Sequence, residues 1–392
     1  ASAACATCRC GLAEPFENLI HAAGVERAAD VIARHQRGFD RARFVALATT
    51  GLEALALKAR AMQIADALGA TLPADFDAAA AVIEAALAPP SDGPAGAAPP
   101  APAEGLSGWF LWPVGEWVAR RGIDRPERAL PLLHALTQRF TAEWAIRPFI
   151  VRHPVLVFAT LQRWTQDPSA HVRRLVSEGS RPRLPWGLRL QSLVRDPAPT
   201  LPLLRALQDD PSAYVRRSVA NHLNDIAKDH PGRVADWLAD HLPGASPERR
   251  ALLRHASRTL IKAGDRRVLA AWGLDRPFRG QALLMLQPKR LHVGEVLQLT
   301  LMLASTAKVP QKLAIDYAVH HVKADGRLSP KVFKGWTLEL SPGESRTLVK
   351  RHSLREVTTR RYHPGRHALD VRINGRVVAH AGFTLLAARP AA

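Results

Sequence analysis

Apolar residues recur at helical spacing through most of the chain and switch to strict alternation near its end. Between residues 12 and 88, Ala, Leu, Ile and Val fall at i, i+3 and i+4, as in GLEALALKARAMQIADALGA from Gly51 to Ala70. That spacing puts them on one face of a helix. Residues 89–105, PPSDGPAGAAPPAPAEG, have no period and are dominated by Pro, Ala and Gly. They read as a flexible linker or surface loop. Helical spacing resumes from Gly108 to Leu274.

A repeat lies inside the second helical stretch. DPSAHVRRLV, starting at Asp167, is matched by DPSAYVRRSV, starting at Asp210, an offset of 43 residues. In each copy Asp-Pro-Ser is expected to open a helix, with Pro in the first turn and Asp or Ser capping free N–H groups. Val172 and Val176 share a face, as do Val215 and Val219. A weaker copy, LLRHASRTLIKAGD, runs from Leu252 to Asp265. A period of this length is that of HEAT-type helix pairs, which stack into an α-solenoid with a concave face.

After about residue 280 the period becomes two. Leu297, Leu299, Leu301 and Leu303 alternate with Gln298, Thr300 and Met302, and Leu369, Val371 and Ile373 lead into Asn374-Gly375. Asn-Gly between apolar alternations is a hairpin signal. About seven short strands are expected here, in an immunoglobulin-like β-sandwich. Tyr362 is either a tyrosine corner of that sandwich or a surface residue. The expected organisation is a leader at 1–11, a helical-repeat domain at 12–278 and a sandwich at 279–392.

Charge sharpens the picture. The chain carries a formal net charge of +19. Residues 1–159 are nearly neutral at −1, residues 160–274 hold +8 and residues 275–392 hold +12. A polyanionic partner is implied, because each Lys or Arg that meets a phosphate releases condensed counterions. Cys5, Cys8 and Cys10 lack a fourth cysteine, so a disordered leader fits them better than a closed zinc site. No apolar run approaches the roughly 20 residues needed to span a bilayer. No secretory signal is visible, and cytoplasmic residence is expected. Walker, HExxH, GxSxG and paired CxxC patterns are missing, so nucleotide hydrolysis, zinc chemistry and serine hydrolysis have no support.

The candidate chemistry lies in and around the repeats. Arg173, Arg174, Arg216 and Arg217 recur at the same place in both copies. One Arg of each pair is available for an ion-pair ladder through Asp167 or Asp210, and the other for phosphate. Lys228, Arg254, Arg258 and Lys262 extend the basic set. SEGSRPRLPW, from Ser177 to Trp186, gathers an acid, Arg181, Arg183 and a tryptophan where Gly and Pro break a helix. Either Glu178 pairs with one of those arginines and Trp186 fills the core, or both serve a site. Glu143 is four residues before Arg147 and is placed for a helix-stabilising pair. Asp225 is a further acid, and Asp229 reads as a solvated helix end.

WTQDPSAHVRRLVSEGSRPRLPW, from Trp164 to Trp186, and DDPSAYVRRSVANHLNDIAKDHP, from Asp209 to Pro231, resemble the bacterial DNA alkylation repair glycosylases of the AlkC/AlkD type. TAEWAIRPF, GLSGWFLWPVGEWV and RHASRTLIKAGD extend the resemblance, the first two toward the AlkC branch. It covers residues 12–274, and the sandwich resembles the immunoglobulin-like extension of some AlkC members. The resemblance implies a cofactor-free, metal-free, monofunctional glycosylase acting as a monomer on duplex DNA, without an obligate protein partner. Its substrates would be bases of the 3-methylcytosine and 3-methyladenine class, removed without base flipping. Glu143 and Glu178 match acids that face the sugar, Trp186 an active-site aromatic and Asp225 a nearby acid. Arg173, Arg174, Arg181, Arg183, Arg216, Arg217, Lys228, Arg254, Arg258 and Lys262 would meet DNA, keeping the protein with the nucleoid. The competing expectations are a non-catalytic repeat protein that binds bent or branched DNA, and a scaffold for acidic proteins.

Overall fold

The computed structural model describes residues 19–90, 104–357 and 360–389. The leader with Cys5, Cys8 and Cys10, and residues 91–103 of the expected loop, lie outside them. The chain divides into two compact units, Ala1–Asp229 and His230–Ala392.

Among its described residues the first unit is helical. It comprises α1 (Ala22–His35), α2 (Arg41–Thr49), α3 (Leu57–Thr71), α4 (Phe76–Ala86), α5 (Leu111–Arg121) and α6 (Pro126–Thr137). These are followed by α7 (Ile146–Arg152), α8 (Pro154–Trp164), α9 (Ala170–Gly179), α10 (Gln191–Arg195), α11 (Leu201–Leu207) and α12 (Ala213–Asp229). The repeat at an offset of 43 is α9 and α12, which pack on each other. Val172, Val176, Val215 and Val219 are fully buried, as their shared faces predict.

The helix starts are built differently from the expectation. Pro168 lies before the first turn rather than in it, and Ser169 makes no side-chain cap. Asp167 instead accepts the Ser169 N–H at 2.8 Å, and Asp210 accepts the Ser212 N–H at 2.8 Å. The first arginine of each pair locks this turn. Arg173 Nη1 donates to the carbonyls of Asp167 and Pro168, and Arg216 Nη1 to those of Asp210 and Pro211. Arg173 also grips Asp210 at 2.6 Å. The ladder between repeats thus runs through the first arginine.

The second unit opens with four helices, α13 (Pro231–His241), α14 (Pro247–Ala256), α15 (Arg258–Ala263) and α16 (Arg266–Ala271). Eight strands follow: β1 (Gly280–Gln287), β2 (Arg290–His292), β3 (Val296–Ser305), β4 (Gln311–Val322), β5 (Leu328–Leu340), β6 (Ser345–Ser353), β7 (Gly365–Ile373) and β8 (Arg376–Leu386). They form a three-stranded sheet, β1-β3-β6, and a five-stranded sheet, β2-β8-β7-β4-β5. Pairing is antiparallel throughout except for β2 with β8. The alternating leucines of β3 and the Leu369, Val371, Ile373 set of β7 point into one shared core. Tyr362 is buried there against His321, with ring centroids 5.6 Å apart, and is not a surface residue.

The Asn374-Gly375 turn has positive φ at both residues, 52° and 77°, as a type I′ hairpin requires. Gly375 also packs on α15, where a Cβ would lie 2.7 Å from Gly264 Cα, which only glycine allows. The Asn374 amide bonds the backbone of Arg276, Lys312 and Ala314. The last helices and the sandwich are therefore joined by backbone-to-backbone contact. No helix among the described residues is long and apolar enough to cross a membrane.

Candidate active site

Three acids from different parts of the first unit meet in one ion-pair network. Glu143 lies in the turn between α6 and α7, Glu178 in the last turn of α9 and Asp225 on α12. All three are at least nine-tenths buried. Arg174, from α9, donates to Glu143 Oε2 and reaches within 3.7 Å of Glu178 Oε1. Arg181 bridges Glu178 at 2.5 Å and Asp225 at 2.8 Å. The Thr141 hydroxyl donates to Glu143 at 2.7 Å, Ser218 to Glu178 at 2.5 Å and Lys228 to Asp225 at 2.8 Å. Burial alone would raise the Glu178 carboxyl. Arg174, Arg181 and the Ser218 hydroxyl outweigh it and hold Glu178 below the ordinary carboxylate range. Glu178 is therefore an anion at neutral pH, unsuited to donating a proton and suited to stabilising positive charge.

The three acids are not equivalent. Both oxygens of Glu178 and of Asp225 take hydrogen bonds. Glu143 takes its bonds on Oε2 alone, and no described residue donates to Oε1. Glu143 Oε1 therefore has acceptor capacity left for a molecule from outside, such as water.

Trp186 lies on the loop between α9 and α10, the loop that also carries Arg181. It is 60 % exposed, and its backbone is left-handed at φ 61°. A bulky residue in that region is uncommon, and such conformations concentrate at functional sites. Its ring lies parallel to that of Trp112, with centroids 6.4 Å apart, and Trp112 stacks on Trp144 at 4.6 Å. The core-filling alternative for Trp186 is thus incorrect. Gly and Pro break the helix and throw the indole outward.

Arg147 holds this loop from below. It is fully buried and donates from Nη1 to Gly179 O at 2.8 Å and from Nε to Leu188 O at 2.5 Å. Burial pushes it down to about 10, with Arg181 adding to the shift, so it stays charged at neutral pH. The expected Glu143–Arg147 pair does not form. Glu143 precedes α7 and turns to Arg174 instead. Asp229 is the exposed last residue of α12, as expected, and takes Arg183 at 2.6 and 2.7 Å.

Of the expected DNA contacts, Arg173, Arg174 and Arg181 are turned inward on carboxylates, and Arg216 is held on its turn. Arg217 and Lys228 are exposed and Arg183 is partly so. Arg183 and Lys228 line a cleft of about 650 Å³ with Pro185, Gly187, Arg189 and Gln191. Arg254, Arg258 and Lys262 belong to the second unit, where they line a separate cleft. Sequence reasoning passed over Arg189, Ser218 and the Trp112–Trp144 stack, and gave Arg147 only as a helix partner of Glu143. Trp144 adjoins Glu143, and Trp112 lies inside the GLSGWFLWPVGEWV block, but neither spacing marks them as Trp186's neighbours. Among the described residues no group of three or more His, Cys, Asp or Glu is arranged to hold a metal ion.

The first unit is thus a helical-repeat body that gathers three ion-paired acids, an exposed indole and a basic cleft. The chain belongs to the AlkC-type family of bacterial DNA alkylation repair glycosylases. It is similar to Pseudomonas fluorescens alkylpurine DNA glycosylase AlkC, solved bound to DNA containing an abasic site analog. The TM-score is 0.86 at 34% identity, covering 94% of this chain and 99% of that one. It is also 38% identical over 275 residues to the "Uncharacterized protein YhaZ" of Bacillus subtilis (strain 168), covering 70% of this chain and 75% of that protein. Residues 281–387 match the family described as "Uncharacterised protein YhaZ, C-terminal Ig-like domain", so the sandwich is immunoglobulin-like.

Proposed function

We infer that this protein is a monofunctional DNA glycosylase that hydrolyses the N-glycosidic bond of alkylated bases in duplex DNA. Its preferred class is 3-methylcytosine and 3-methyladenine. The observation that carries this reading is the free Oε1 of Glu143 within a network of ion-paired acids, with the exposed Trp186 on the loop that carries Arg181. The similar AlkC protein, named as an alkylpurine DNA glycosylase, was seen on an abasic-site analogue, which mimics the product of base removal.

Alkylation puts positive charge on the base, so the C1′–N bond breaks with its electron pair returning to the base, which leaves neutral. Positive charge then gathers on the deoxyribose, as in glycoside hydrolysis. Glu143, with Glu178 and Asp225 behind it, stabilises that charge. The Trp186 face adds cation–π attraction of about 1–2 kcal/mol where water is excluded. Water adds to C1′ and its proton passes to Glu143 Oε1. The cleft beside Trp186 offers Arg183, Arg189, Lys228 and Gln191. Those groups suit backbone phosphates better than the face of an extruded base, which supports catalysis on an unflipped nucleotide. The protein acts as a monomer, on chromosomal DNA in the cytoplasm.

The test is single-turnover release of base from duplex DNA carrying one 3-methylcytosine or 3-methyladenine, in EDTA. Wild-type protein is expected to release base. Glu143→Gln is expected to be slower by roughly tenfold to a thousandfold, the scale of losing one preorganised electrostatic partner, with duplex affinity kept. If the Gln variant matches wild type at equal folded fraction, Glu143 leaves the mechanism. If wild-type protein binds the duplex and releases nothing, the protein is a binder of bent or branched DNA.

A further inference from the structure

Each acid of the buried network takes an arginine hydrogen bond and one further donor: Thr141 at Glu143, Ser218 at Glu178 and Lys228 at Asp225. At Glu178 and at Asp225 the two donors sit on different oxygens, so both oxygens are used. At Glu143 both donors sit on Oε2. That doubling is what leaves Glu143 Oε1 without a donor among the described residues. Ser218 and Thr141 bring the same chemical group to their acids with opposite results: one hydroxyl closes the second oxygen of Glu178, the other leaves an oxygen of Glu143 open.

The doubling comes from a closed triangle. Arg174 Nη1 donates to Glu143 Oε2 and also to Thr141 Oγ1 at 3.0 Å, and Thr141 Oγ1 lies 2.7 Å from Glu143 Oε2. A guanidinium has no acceptor, so the hydroxyl accepts from Arg174 and its one hydrogen is directed to Oε2. Thr141 precedes Glu143 by two residues in the turn before α7, so this bond is set by the turn itself. A β-branched side chain is stiff at χ1, whereas the last torsion of a glutamate is broad and nearly two-fold. The stiff partner therefore sets the plane of the loose one. The triangle also occupies the Arg174 hydrogens. Nη1 has two, one on Thr141 and one on Glu143, and Nη2 leans toward Glu178 at 3.7 Å. Without the hydroxyl, the released N–H can close on Oε1, because arginine grips a carboxylate most strongly through both oxygens.

We propose that the Thr141 hydroxyl is a positioning group that holds Glu143 Oε2 to Arg174 and so keeps Oε1 free for the attacking water. This role rests on the glycosylase reading above, in which Oε1 takes the proton of that water. Thr141 acts through Glu143 and needs no contact with DNA of its own.

The test is single-turnover base release by full-length protein from duplex DNA carrying one 3-methylcytosine, with duplex affinity and melting temperature measured on the same preparations. Thr141→Val keeps the shape of the side chain and removes the hydroxyl. It is expected to slow release by roughly tenfold to a hundredfold, the scale of a misplaced catalytic group, with duplex affinity within about twofold of wild type. Thr141→Ala, which puts no extra methyl into the turn, carries the same expectation. Thr141→Ser restores the hydroxyl and is expected to recover most of the rate. Thr141→Val added to Glu143→Gln should slow release no further, because both changes act on one group. A Val variant as fast as wild type at equal folded fraction would overturn the proposal. So would a Ser variant as slow as Val, which would assign the loss to packing, or a Val effect that persists in full on Glu143→Gln. The two readings fail separately. A wild type that releases no base overturns both, whereas a wild type that releases base at the Val variant's rate overturns this one alone.

Discussion

Arg147 puts a permanent charge where water does not reach, and what it gains is two carbonyls. Gly179 O and Leu188 O mark the two ends of the segment that carries Arg181, Arg183 and Trp186, so one guanidinium sets the span of that loop. Arg147→Met would leave the buried Gly179 carbonyl without this donor and release the Leu188 carbonyl from the clamp. It is expected to cost about 2–5 kcal/mol and to speed proteolysis between residues 180 and 188. Arg147→Lys should recover part of that, since an ammonium reaches one carbonyl but not both. A Met variant that melts with wild type would remove the clamp. The i,i+4 rule that paired Glu143 with Arg147 presumes that both residues share a helix. Here α7 begins only at Ile146, so the rule met a turn and failed. Acids and arginines were legible as residues, while their partners depended on where helices start.

At the level of elements, the repeat was the most legible feature, because DPSA followed by paired arginines builds the same turn twice with the same hydrogen bonds. The β3 and β7 alternation was equally plain, since a strand with one buried face must alternate. The loop between α9 and α10 was legible as a break but not in its direction. Nothing in SEGSRPRLPW says that Trp186 leaves the core, because the Trp112–Trp144 stack that receives it comes from distant segments. The bulge at Gly335, where the β4–β5 register shifts by one residue, was invisible for a similar reason, since it is a property of two strands together. The exposed, left-handed Trp186 yields its own prediction. Trp186→Ala removes little buried surface, so its melting temperature should stay within a few degrees of wild type, while base release slows by tenfold or more. A large loss of stability would return the indole to a packing role.

Across the whole molecule, charge and burial set how the protein responds to acid. His222 on α12 is fully buried and held down at about 4, first by burial. In the sandwich, burial holds His352 at about 4 and His321 at about 3, with Arg360 adding its repulsion to both. His321 Nε2 lies 3.3 Å from Arg360 Nη1 and His222 Nδ1 lies 2.9 Å from Ser177 O. The first contact requires an acceptor on the ring, so His321 is used in its neutral form, whereas the second needs only one N–H and it is burial that keeps His222 neutral. In the unfolded chain these rings take up protons below about pH 6.5, whereas in the folded chain they resist until near 4 or 3. The unfolded state therefore binds more protons as pH falls, and stability declines. The stability they contribute is complete above about pH 6.5 and is lost from there down to their folded values. Each histidine contributes a slope of about 1.4 kcal/mol per pH unit across that window. Glu178 reinforces the trend lower down, because its stabilisation is lost as pH falls below the ordinary carboxylate range. Melting temperature should be flat between pH 8 and 7 and fall steeply from pH 6.5 to 4.5. Hydrogen exchange should show early loss of protection in α12 and in β4 and β6, where the three rings sit. Unchanged melting between pH 7.5 and 5 would mean that these imidazoles are already charged in the fold, or reach water, and would overturn the neutral assignment.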